Sequence, residues 1–141
     1  MSIDGMNSLY IAGSALTAQR LRMDVIASNM ANVETTATPQ GGPYHRQMVV
    51  FEPRSMGNLL DSGTTGDGVQ VAGIVQDTTP PKQVYQPGNP QADANGFVAY
   101  PNVNLTTEMV DMMAASRAYQ ANASVVQTTK TMVDRTLQLG G

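Results

Sequence analysis

The placement of glycine and proline is the strongest constraint on how this chain can fold. All eight prolines and nine of the thirteen glycines lie between residues 37 and 101. Residues 6–36 hold one glycine and no proline, and residues 102–139 hold neither. In a helix interior proline costs roughly 3 kcal/mol and glycine about 1 kcal/mol relative to alanine. Long uninterrupted helices are therefore expected in the outer segments only. Eight of the ten methionines also lie there, where an unbranched thioether favours helix and packs adaptably. Three segments result: a helical 1–36, a turn-rich 37–101 and a helical 102–141.

Both outer segments carry an apolar 3–4 repeat. In the first, Leu9, Ala12, Leu16, Met23, Ile26, Met30 and Val33 share one seam with Gln19 as the only polar member, the spacing of a coiled-coil stripe. Asn7, Ser14, Ala18, Arg22 and Asn29 fall on the opposite face. Asp4 or Ser8 is a candidate N-cap, and Asn32 a candidate stop. In the last segment Met109, Met112, Ser116, Tyr119, Ala123, Val126, Val133 and Leu137 repeat the spacing, interrupted by Lys130. Asn104 or Thr106 suits its N-cap, and Glu108 and Asp111 suit the positive end of its dipole. Arg135 and the pair Gly140-Gly141 suit its end.

The middle reads as short strands joined by turns. Tyr44–Phe51 and Val69–Gln76 are the longer candidates, separated by the polar loop Asp61–Gly68. Gln83–Gln86 and Phe97–Tyr100 are shorter, the last introduced by Asn95-Gly96, a hairpin dipeptide. About 65 residues of this character make a thin core, marginal by itself.

Composition excludes several functions. Without cysteine there is neither a disulfide framework nor a zinc-thiolate site. Eight scattered Lys and Arg in a chain of net charge −3 give no footprint for nucleic acid or anionic lipid. No apolar run approaches the roughly 18 residues of a membrane-spanning helix, and the first thirty residues lack a basic region leading into an apolar one, so no cleaved signal peptide is expected. His45 is the only histidine, which leaves no Ser-His-Asp, Cys-His or multi-histidine arrangement. The loop Asp61–Gly68 lacks the alternating carboxylates and closing Glu of a calcium loop, and no phosphate-cradling motif occurs. No cofactor is expected, and an enzyme is not. The two stripes admit two readings: an intramolecular core, or seams left for other molecules to cover. Long helices around a small middle, with few charges on their polar faces, keep the second reading open.

Two short motifs bear on the choice. Ala31-Asn32-Val33-Glu34-Thr35 resembles the Ala-Asn-x-x-Thr signature of bacterial flagellar rod and hook proteins, and it follows a long amphipathic helix as it does there. Ala115-Ser116-Arg117-Ala118-Tyr119-Gln120-Ala121-Asn122 resembles that family's C-terminal signature. Tyr100-Pro101-Asn102-Val103-Asn104, Val84-Tyr85 before Pro87-Gly88, and Asn95-Gly96-Phe97-Val98 are similar to the proximal-rod branch. The resemblance spans nearly the whole chain. Thr35–Gly42 runs longer and richer in glycine than the compact loop expected there.

The resemblance implies an α+β fold whose long N- and C-terminal helices pair antiparallel, coiled-coil-like, as an inner domain beside a small β-rich middle. It implies a structural subunit of the basal-body rod, exported by the flagellar type III apparatus without a cleaved leader and polymerised helically in the periplasm. Implied partners are copies of itself, other rod proteins, the protein joining the rod to the MS ring, and the export apparatus, with no nucleic acid and no membrane insertion. The expected assembly residues are Leu9, Leu16, Met23, Ile26, Met30, Met109, Met112, Tyr119, Val126 and Val133. The signature residues are Ala31, Asn32, Thr35, Arg117, Tyr119, Gln120 and Asn122. Asn29, Asn32 and Thr35 can cap the first helix and fix the turn after it. The terminal segments are expected to be largely disordered in the free chain and to order on assembly.

Overall fold

The computed structural model describes residues 3–54 and 68–139. Helix α1 spans Ile3–Ala31 and helix α2 spans Leu105–Leu139, with β1 (Gln47–Pro53), β2 (Val69–Gln76), β3 (Lys82–Tyr85) and β4 (Phe97–Tyr100) between them. At 1.5 Å per residue the helices are about 43 and 52 Å long. Strand β1 pairs antiparallel with β2, and β3 with β4, as separate two-stranded sheets. The fold is α+β, with the long helices at the two ends of the chain.

Helix α1 is the middle of three layers. It packs against α2 on one side and against β1 and β2 on the other, and neither α2 nor the β3–β4 hairpin packs against a strand of the first sheet. Arg22 faces Asp111 at 3.8 Å and Asn29 faces Glu108 at 3.0 Å, so positions rise along α1 as they fall along α2. The helices are antiparallel.

This layering corrects the reading of α1. Ala12 and Ile26 of the predicted seam are buried, but so are Ala18, Val25 and Asn29, and Ala18 and Asn29 were expected on the outward face. The sheet covers that face, so α1 is buried on two sides and its small and polar residues become interior. The same packing gives both long helices partners within the chain.

Local signals explain most element boundaries. Helix α1 begins at Ile3, so Asp4 and Ser8 lie within it and neither is its N-cap; one early glycine does not stop a helix. Asn104 caps α2, its Oδ1 accepting from the Thr106 and Thr107 N–H groups at 3.0 and 3.2 Å. Strand β1 starts three residues later than expected because the side chains of Tyr44 and Arg46 are turned toward the helices. It runs on through Pro53, which pairs with Val69 at the strand end, where proline is tolerated. Strands β2 and β4 have the expected bounds, and β3 is displaced by one residue. The loop after α1 is held by Tyr44 N–H to the Thr35 carbonyl at 2.9 Å, by Thr38 N–H to the Gly42 carbonyl at 2.9 Å, and by Thr36 to Gln91. Of the predicted loop Asp61–Gly68 only Gly68 is among the described residues, and Gly140-Gly141 lies outside them.

Candidate assembly interface

The first sheet is seated on α1 at both ends. At the end where Pro53 pairs with Val69, Gly68 has φ +101° and lies so close to α1 that a Cβ would run into Ser14 Oγ. Ser14 Oγ donates to the Ile11 carbonyl at 2.7 Å and accepts the Val69 N–H at 3.1 Å. Arg54 donates to Tyr10 Oη at 2.7 Å and lies 5.5 Å from the centre of its ring. At the other end Asn29 takes the place of a neighbouring strand. Its Oδ1 accepts the Gln47 N–H at 2.9 Å, and its Nδ2 donates to the Gln47 carbonyl at 2.8 Å.

Asn29 is also the start of a buried polar junction. Nδ2 donates to Glu108 Oε2 at 3.0 Å and Oδ1 accepts from Tyr44 Oη at 2.9 Å. Asn29 is 1% exposed and Glu108 0%. Glu108 Oε1 accepts from Arg46 Nε at 2.6 Å. The same guanidinium reaches Asp111 at 3.6 Å and Asp77 at 4.0 Å. Thus α1, α2, the approach to β1 and the exit from β2 meet around one arginine. The Asp77 carboxyl is held below its usual range, first by the Thr79 hydroxyl and N–H that bond to it and then by the positive Arg46. A groove of about 320 Å³ runs beside the junction, lined by Arg22, Val25, Asn29, Val49, Phe51 and Glu108 among others.

The helical stripes are only partly covered. Of the expected assembly residues, Ile26 is buried, Leu9, Leu16, Met23 and Met30 on α1 are half-buried, and so are Met112, Tyr119, Val126 and Val133 on α2. Met109 is 52% exposed. Beside it the structure leaves Leu105 and Met113 exposed, and their spacing of four places all three in one row on α2. Val110, Val125, Met132 and Leu137 are exposed on the same helix. Of these only Leu137 lies on the predicted seam. The legible signal for the others was that α2 has more large apolar residues than one seam accommodates.

The two signatures are used differently. Asn32 Nδ2 donates to the Ser28 carbonyl at 2.9 Å, and Thr35 donates to Asn32 Oδ1 at 3.1 Å. These bonds close the end of α1, where carbonyls would otherwise lack partners, while Ala31 is exposed. In the second signature Asn122 donates back to the Ala118 carbonyl at 2.8 Å, Tyr119 is half-buried, and Arg117 and Gln120 are exposed. His45 is exposed beside β1. Among the described residues no cluster of three His, Cys, Asp or Glu is placed to hold a metal, and no helix is long and apolar enough to cross a membrane.

Comparison with known proteins accounts for both ends. Residues 9–37 match the family model described as flagella basal body rod protein, and residues 94–139 match the one described as flagellar basal body rod FlgEFG protein C-terminal. The chain is 49% identical over 135 residues to the flagellar basal-body rod protein FlgC of Escherichia coli O6:H1, covering 96% of this chain and 97% of the relative. It is 48% identical over 139 residues to FlgC of Borreliella burgdorferi, covering 89% and 91%. It is 41% identical over 145 residues to FlgC of Bacillus subtilis, covering 95% and 97%. The chain is a structural protein and not an enzyme, and it belongs to the flagellar basal-body rod protein family.

Proposed function

We propose that this rod protein stacks into the basal body through the half-covered stripes of its two helices, in contacts that join a different face on each partner. Heterologous contacts whose rotation does not close propagate as a helical polymer. Leu9, Leu16, Met23, Met30, Met112, Tyr119, Val126 and Val133 form the seam between and beside the helices, with Ile26 beneath it. Met109, with Leu105 and Met113, is the outward part that a neighbour covers. Arg117 and Gln120 flank this row and serve the same contact. Neighbours are further copies, other rod proteins and the protein that joins the rod to the MS ring. The site of action is the periplasmic rod, reached through the flagellar type III export apparatus. By this reading segments 1–36 and 102–141 form the inner domain, and 37–101 the outward part.

One observation carries the reading: Leu105, Met109 and Met113 form a row of large apolar side chains on α2 that is exposed in the single chain, on the stretch of the helix that also buries Glu108 and Ala115. Exposed contiguous apolar surface marks an interaction site. The decisive variant is Met109→Glu. Because Met109 is exposed, its replacement changes the stability of the chain by no more than about 0.5 kcal/mol, whereas a carboxylate buried at a subunit contact is strongly unfavourable. Unchanged melting together with loss of basal-body rods and motility is expected. Normal motility would overturn the placement of this row. Ile26→Asp is a poor substitute, since a charge at a buried position unfolds the chain itself. A discrete one-to-one complex, in place of concentration-dependent polymer, would favour a helix-clasping binding module.

A further inference from the structure

The packing of α2 on α1 contains little that specifies one register. The only fully buried apolar residue described on α2 is Ala115, and Met112, Tyr119, Val126 and Val133 of its seam are half-buried and recur every seven residues. On α1 the seam offers Met23 and Met30 one heptad apart. Sliding α2 along α1 by a heptad would bring Tyr119 to the place of Met112 and Val126 to that of Tyr119, apolar for apolar. What does not repeat is the polar junction. Glu108 is buried completely, and its two oxygens are engaged by Arg46 from the approach to β1 and by Asn29 from α1. Asn29 in turn holds Gln47 of β1. Among the described elements α2 packs only on α1, so these side chains are its direct tie to the first sheet.

We propose that the Asn29–Glu108–Arg46 junction is a register lock. It fixes which residues of α2 lie against α1, and thereby where the exposed row of α2 stands relative to the sheet. A slip of one turn, about 5.4 Å, would carry the Glu108 carboxylate away from both donors and leave a buried charge without partners, which is strongly unfavourable. Buried polar groups setting helix register are the best attested use of such pairs, and replacing them by apolar residues of similar volume often leaves stability unchanged or raised. Arg46 and Glu108 are therefore positioning residues, and stability alone does not read their role.

The test separates register from stability. The chain has no cysteine, so spin labels can be placed on the full-length protein through Asp24→Cys and Ser124→Cys, both at exposed positions. With Asn29 level with Glu108, these sites lie about eleven residues apart along the axis, roughly 16 Å at 1.5 Å per residue, so axial slip changes their separation. The native junction should give a single narrow distance distribution by pulsed electron paramagnetic resonance. The double variant Arg46→Met with Glu108→Leu should melt at the same or a higher temperature, yet show a broadened distribution or a second peak displaced by several Å. Glu108→Gln, which keeps the shape and removes the charge, should broaden it less and serves as the readout if the apolar variant does not fold. A single peak at the native distance in a folded variant would overturn the proposal. The measurement is made on dilute single chains, so its outcome is independent of whether the α2 row is an assembly contact.

Discussion

Truncating Asn29 to alanine isolates the energetic weight of the polar junction. The wild-type side chain makes four hydrogen bonds between 2.8 and 3.0 Å, to Gln47 N–H, Gln47 C=O, Tyr44 Oη and Glu108 Oε2. At a net worth of about 1 kcal/mol each, their loss would cost roughly 4 kcal/mol. Two features reduce this. Glu108 retains Arg46, and the adjoining groove of about 320 Å³ admits water to the edge of β1, which re-solvates part of Gln47. A destabilisation of about 2–3 kcal/mol remains. Equilibrium urea unfolding followed by far-UV circular dichroism should show the midpoint falling by roughly 1–2 M, taking a slope of about 1.5 kcal/mol per M. Asn32→Ala is the internal control. It removes two local, part-buried helix-end bonds, to Ser28 and Thr35, which water replaces more readily, and at about 0.5 kcal/mol each, the low end of the range, should cost about 1 kcal/mol. A loss below 0.5 kcal/mol for Asn29→Ala (an estimate set against the net worth of one bond), or one equal to that of Asn32→Ala, would refute the claim that this side chain joins sheet and helices.

Three further outcomes follow from particular contacts. Asn104→Ala should destabilise the chain by about 1 kcal/mol, the usual worth of an N-cap, while Asn104→Asp should cost little, as unfolding midpoints will show. The Asp77 carboxyl has a folded pKa lowered from the reference of 3.8, chiefly by Thr79. Its contribution to stability is therefore present above the unfolded value and lost as pH falls through the lower folded one. Asp77→Asn should remove that part of the acid sensitivity below about pH 4, measured by thermal melts across pH 2–6. Amide hydrogen exchange should be slowest over residues 18–29, which are packed on two sides, and faster over residues 124–138, where most side chains are exposed. Equal protection of the two stretches would contradict the layered arrangement.

Glycine and proline placement located the elements because each acts locally on backbone freedom. It delimited the two helical ends, and the turn residues around Gly68-Val69 and Asn95-Gly96 gave the bounds of β2 and β4. Local capping chemistry was legible for the same reason at Asn104, Asn32 and Thr35. The motifs at 31–35 and 115–122, being contiguous, pointed to the rod family without any structure. Which face of α1 is interior was not legible. Periodicity reports one apolar stripe, but a helix held between a helix and a sheet is buried on two sides, and the second side here consists of Ala18, Val25 and Asn29.

The fate of Glu108 shows the division most sharply. From the sequence it is an acidic residue in the first turn of a helix, suited to the dipole and to solvent. Its burial requires an amide 79 positions away and a guanidinium 62 positions away to arrive at the same point, and nothing local encodes that meeting. The exposure of Leu105, Met109 and Met113 is decided in the same way, by which part of α2 the packing on α1 leaves uncovered. The elements, most of their caps and the family are written in adjacent residues, because backbone propensity, capping and short motifs act over a few positions. Which side chains are enclosed and which are left for a neighbour is set by the packing of the folded chain, because burial depends on residues far apart in sequence.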